Sequence, residues 1–110
     1  MDNRILAAGL LPLIVSVLFY LFPPKRINSI YGFRTDASMQ NQDSWNFAQK
    51  AASKYLLLFT SIVMVIDLAL YFFRIKGALK VSVALAIISL VLGAIIAQVK
   101  LSKFNKSNGY

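Results

Sequence analysis

The residues best equipped for chemistry lie in one polar stretch, Asn28-Ser-Ile-Tyr-Gly-Phe-Arg-Thr-Asp36, followed closely by Asp43-Ser-Trp45. Arg34 offers a planar fork of five donors, suited to a carboxylate, a phosphate or the carbonyls at a helix end. Gly32, between Tyr31 and Phe33, predicts a tight turn, because glycine alone takes positive φ cheaply. The rings of Tyr31, Phe33, Trp45 and Tyr55 suit the headgroup layer of a bilayer. Thr35, Asp36 and Ser38 are helix-starting residues, and Asp43 is a further possible cap. This chemistry is recognition of an anionic group. Two readings stay open on residue types: a partner-binding insert, and a loop anchored by aromatic rings and positive charge. Composition by itself favours the anchored loop.

Reaction chemistry has little to work with. The chain has no cysteine and no histidine, and only four carboxylates, one of them beside the initiator. Disulfides, thiol nucleophiles and histidine-based triads are excluded, and no metal site is expected. No acid–base or nucleophile constellation assembles, so the expectation is a non-enzyme without cofactors.

The elements that hold the polar stretch are apolar. The chain has 110 residues, is 58% hydrophobic and carries a net charge of +8. A domain of this size cannot bury so much apolar surface in water, so the composition points to a membrane. Three runs stand out: 5–22 and 81–99 without charge, and 55–73 with Asp67 alone. At helical rise each run spans roughly 27–29 Å, close to the hydrocarbon thickness. In lipid every backbone group must be paired internally, so the runs are expected to be helices. The predicted class is an all-α integral membrane protein: one membrane domain over 1–110, with spans at about 5–22, 55–73 and 81–99. The first run has no small-residue cleavage site after it and reads as a retained helix. Pro23 and Pro24 stop it, and Pro12 is expected to kink it.

Between the first two spans lies the insert 24–54. Within it Trp45, Ala48, Ala52 and Tyr55 recur at helical spacing, with Asn46, Gln49, Lys50, Ser53 and Lys54 on the remainder. This predicts a short amphipathic helix at the interface, running into the second span. The tail 100–110 is polar and basic and is expected to fray. Four basic residues, Arg4, Arg74, Lys76 and Lys80, fall on one side. Eight fall on the other: Lys25, Arg26, Arg34, Lys50, Lys54, Lys100, Lys103 and Lys106. The positive-inside rule then places the insert and the C-terminus in the cytoplasm of a bacterial cell, with the N-terminus outside the inner membrane. The basic residues cluster at span ends rather than on a nucleic-acid-binding face, so the expected partner is the bilayer and not nucleic acid.

The third span carries Ser82, Ala86, Ser89, Gly93 and Ala97 on one face, which reads as a helix-packing seam and leaves homo-oligomerisation open. The second carries Thr60, Met64, Asp67, Tyr71 and Arg74 on one face. Asp67 lies within the span, where an ionised carboxylate costs roughly 2.5–3.5 kcal/mol. A proton or ligand site and a structural pair with Arg74, snorkelling back past Tyr71, are both open.

At the insert the sequence resembles the SdpI family of small bacterial membrane proteins. The resemblance rests on Lys25-Arg-Ile-Asn-Ser-Ile-Tyr-Gly-Phe-Arg-Thr35, then Ser38-Met39, Asn41 and Trp45. The matching positions are Asn28, Tyr31, Gly32, Arg34, Thr35, Ser38, Asn41 and Trp45, and the resemblance implies that they form a partner- or ligand-binding site. Asp36 departs from the pattern, where many members have proline or a basic residue. The resemblance implies an immunity-type protein that protects against a secreted antimicrobial peptide, or one that signals by holding a cytoplasmic regulator protein at the membrane. Two alternatives come from other classes. Three spans with a basic tail also suit a holin-like pore, though a pore gives no role to the insert. A small oligomeric transporter would use Asp67 as its coupling carboxylate.

Overall fold

The computed structural model describes residues 3–110 and is all-helical among them. In chain order the helices are α1 (Arg4–Leu21), α2 (Asp36–Met39), α3 (Gln42–Phe72) and α4 (Ala78–Ser107). Three of them, α1, α3 and α4, are long and apolar enough to cross a membrane.

Helix α1 runs through Pro12 and stops at Leu21, where the Phe22 N–H closes on the Leu18 carbonyl at 2.8 Å ahead of the two prolines. Helix α3 starts at an Asn41 cap, whose Oδ1 accepts from the Ser44 N–H at 2.8 Å. Asp43 follows in the first turn, the favourable end of the helix dipole. A short turn with Arg74 at φ 50° and Gly77 at φ 73° links α3 to α4.

The amphipathic stretch around Trp45 runs into the second span as expected, forming the opening of one 31-residue helix. One expectation changes: the tail is not frayed, and α4 continues to Ser107 with Leu101 and Asn105 buried. At helical rise α3 and α4 are therefore about 45 Å long and α1 about 27 Å, so the α3–α4 pair outruns both α1 and the hydrocarbon layer. The surplus lies at the end where α3 starts and α4 finishes, and the insert folds onto it as a cap.

Helix α4 packs mainly on α3, and α1 lies against both. The α4 seam Ser82, Ala86, Ser89, Gly93 and Ala97 is buried throughout. A Cβ on Gly93 would stand 2.9 Å from Leu56 Cδ2, so Gly93 marks a close approach of α4 to α3. Near the cap, Phe19, Ala51, Ala52 and Ala97 form the apolar core, with Phe33, Phe47 and Leu56 packed against it. The outward faces of the spans are aliphatic: Leu11, Val15, Leu58, Val65, Ile87 and Ile95 are all exposed. In a bilayer those faces meet lipid.

Candidate functional site

The cap is built from side chains that hydrogen-bond the backbone of the insert. Asn28 Oδ1 accepts from the N–H groups of Ile30 (2.9 Å) and Tyr31 (2.7 Å), and its amide donates to the Arg26 carbonyl. This is an Asx turn. Tyr31 sets its ring edge-on to Phe19 and donates its hydroxyl to the Phe22 carbonyl at 3.0 Å, tying the turn to the end of α1. Gly32 follows at φ 107°. A side chain there would meet Gln49 Oε1 and Pro24 Cγ, each at 2.6 Å.

Gln49 is the centre of the cap. Its Oε1 accepts from the Phe33 N–H and its Nε2 donates to the Phe33 carbonyl, both at 2.7 Å. One amide thus satisfies both backbone groups of an irregular segment. Thr35 and Ser38 form a reciprocal capping box around α2: the Thr35 hydroxyl accepts from the Ser38 N–H, and the Ser38 hydroxyl accepts from the Thr35 N–H. Thr35 also donates to Gln98 Oε1 on α4 at 3.0 Å. Trp45 is wholly buried and donates its indole N–H to the Pro24 carbonyl at 2.8 Å.

The far side of the cap is held by α4. Ser44 donates to Asn105 Oδ1, and Asn105 Nδ2 donates to the Ala37 carbonyl. Phe104 stacks on Phe47 with ring centroids 4.4 Å apart. The Tyr110 hydroxyl donates to Asp43 Oδ2 at 2.7 Å, and this bond is the main cause of a hydroxyl pKa raised above the ordinary tyrosine value.

Of the eight insert positions singled out in the sequence, the structure thus gathers Asn28, Tyr31, Gly32, Thr35, Ser38, Asn41 and Trp45 into the framework of the cap. Arg34 stands apart: it is exposed, and its guanidinium reaches the Ser29 carbonyl. The other cations of this end of the sequence pattern, Lys25, Arg26, Lys50, Lys54, Lys100, Lys103 and Lys106, are also exposed. An open cleft of about 610 Å³ lies between the end of α1 and the start of α3, lined by Tyr20, Pro23, Lys25, Asn46, Lys50 and Ser53 among others.

Sequence reasoning missed Gln49, Gln98 and Asn105. The amphipathic pattern puts Gln49 and Ser53 on the solvated side of the helix, yet both are buried. Their spacing was the available signal: Gln49 falls four residues after Trp45, on the buried side.

The second group of candidate residues lies at the opposite end. Asp67 is fully buried, and neither of its oxygens has a hydrogen-bond partner. Arg74 does not pair with it. Arg74 lies past the end of α3, exposed and in a left-handed turn. The Tyr71 hydroxyl donates to Asn3 Oδ1 instead. No cluster of three or more potential metal-ligating side chains occurs among the described residues.

No solved structure matches this chain. A curated relative, an uncharacterized protein YfhL of Bacillus subtilis (strain 168), is 45% identical over 53 residues. That match covers 48% of each chain, so this chain spans about half the length of the curated relative it matches. The SdpI/YfhL protein family matches over residues 25–99, from the start of the insert to the end of the third span. That range holds the Asx turn, the glycine turn, the capping box and the buried tryptophan together with the two long helices that carry them, and the chain belongs to the SdpI/YfhL protein family.

Proposed function

We propose that this membrane protein is of immunity type, serving resistance to a secreted antimicrobial peptide, and that its cap lies in the cytoplasm and docks a regulator protein through an acidic surface. One observation carries the reading. Eight exposed cations lie on the cap and on the ends of the two long helices that carry it, and among them Arg34 spends its guanidinium on a main-chain carbonyl rather than a carboxylate. A preformed basic platform loses little ordering entropy on binding and attracts acidic partners over a Debye length. The positive-inside rule supports the cytoplasmic orientation. In this reading the seven framework residues hold the platform and Arg34 supplies the anionic contact.

The test is survival of a sensitive bacterium expressing the chain, challenged with the killing peptide against which the founding family member protects. Arg34→Ala is expected to lose protection while reaching wild-type levels in the membrane. Equal protection by wild type and Arg34→Ala would overturn the reading.

A further inference from the structure

At the end remote from the cap, three helices meet around one carboxyl group. Helix α3 contributes Asp67, which is 0% exposed. Helix α4 contributes Ser82, the side-chain neighbour of Asp67, also 0% exposed. Helix α1 contributes the bare backbone of Gly9: a Cβ there would land on Asp67 Oδ2, with Asp67 Cγ at 3.1 Å and Met64 Sδ at 3.0 Å. Both Asp67 oxygens and the Ser82 hydroxyl are buried without a hydrogen-bond partner. They are the buried side-chain polar atoms left unsatisfied among the described residues.

The charged groups nearby stay outside. Arg4 at the start of α1, Arg74 and Lys76 in the turn, and Lys80 at the start of α4 line a cleft of about 470 Å³. Ile5 and Ala78 also line that cleft, and both are buried. Each precedes Gly9 or Ser82 by four residues, about 6 Å along its helix. The buried wall of the cleft therefore stands about one helical turn from the level of the carboxyl group. Tyr71, the remaining titratable group on that face of α3, is turned to Asn3.

What fits this junction follows from its donor set. It offers two carboxylate oxygens and one hydroxyl. Hard divalent cations need six or more oxygens, and the helical carbonyls are committed to their own helices. An ionised carboxylate has about four acceptor sites, of which Ser82 can fill one. A proton needs a single oxygen. It turns Asp67 into a donor as well as an acceptor, so that the acid and the Ser82 hydroxyl can satisfy one another.

We propose that Asp67, Ser82 and Gly9 form an intramembrane proton-binding site, loaded from the cleft at the α3–α4 turn. The carboxylate takes one proton from water to become the neutral acid and returns it to water; no other bond is made or broken. The site is independent of the cap and of any partner bound there. Release of the proton leaves a bare charge against the α1 backbone.

Infrared spectroscopy of the full chain in lipid nanodiscs tests the proposal. A carboxylic-acid carbonyl band is expected at neutral pH. It should persist when Asp2, Asp36 and Asp43 are all replaced by asparagine, which leaves Asp67 as the one carboxyl side chain, and it should vanish in Asp67→Asn. Raising the pH should convert the band reversibly to that of a carboxylate. Carboxylate bands alone at neutral pH, in the wild type and in the triple variant, would overturn the proposal. So would an acid band that no buffer pH can titrate, since that group would be sealed from the cleft. Neither reading depends on Asp67→Asn folding, because the triple variant leaves the junction untouched.

Discussion

A methyl group on Gly32 probes the cap at its tightest point, and Gly77 supplies the control. Both glycines have positive φ, 107° and 73°. Alanine costs roughly 1–2 kcal/mol in such a conformation. Their surroundings differ. At Gly32 the new Cβ would sit 2.6 Å from Gln49 Oε1 and 2.6 Å from Pro24 Cγ, whereas at Gly77 it meets nothing within 4 Å. Gln49 cannot retreat without giving up its two bonds to Phe33. Each neutral bond is worth about 1 kcal/mol net, and more when its partners are left buried. Gly32→Ala should therefore destabilise by about 3–4 kcal/mol and Gly77→Ala by about 1–2 kcal/mol. Trp45 is the chain's one tryptophan. It is buried and bonded to the carbonyl of Pro24, the other residue the methyl would strike. Its emission therefore reads the cap directly. In mild detergent, Gly32→Ala should show red-shifted emission and unfold at a lower SDS fraction, while Gly77→Ala keeps native emission. Wild-type emission and midpoint for Gly32→Ala would refute the reasoning, as would equal damage by the two substitutions.

Two further perturbations address the cap from other directions. Gln49→Leu keeps the bulk but strands the Phe33 N–H and carbonyl, so the SDS midpoint should fall by the equivalent of about 2–3 kcal/mol. The Tyr110 hydroxyl is held above its ordinary value by the bond to Asp43. A raised pKa favours the fold while tyrosine is protonated, so this contribution is complete below about pH 10 and is lost as pH rises through the folded value. The tyrosinate absorbance difference between wild type and Tyr110→Phe should titrate late, and Asp43→Asn should move it back toward the ordinary value.

The spans were legible because an apolar run of eighteen residues in so short a chain has nowhere to be buried except a bilayer. The helix ends were not, because hydropathy stops at Lys54 and Lys100 while the helices do not. Backbone caps set those ends. Asn41 caps α3 thirteen residues before Lys54, and α4 runs on to Ser107. The buried face of α4 was in fact written past the apolar run: after Ala97 the same spacing reaches Leu101 and Asn105, both buried. The capping role of Thr35 and Ser38 was readable, since their types and offset suit a reciprocal cap. The burial of Gln49 and Asn105 was readable from their spacing, but their partners were not: only a fold shows that Gln49, Gln98 and Asn105 each meet a backbone or side-chain group of the insert.

These partners bear on what a shared motif means here. An insert that must turn at the membrane boundary has backbone groups that neither helix nor lipid can satisfy. Asn28, Thr35, Ser38 and Asn41 meet that need from within the insert, Gln49 and Asn105 meet it from the two long helices, and Gly32 lets them approach. A run of residue types this specific is thus accounted for by folding before any ligand is invoked. Arg34 is different in kind. A partner that takes its guanidinium displaces one bond to the Ser29 carbonyl and leaves the rest of the cap intact. A carboxylate offers that guanidinium a charge-assisted, two-point contact in exchange for a neutral one. Docking at Arg34 then requires no rearrangement of the framework, and its strength should fall with added salt while the Trp45 environment stays constant.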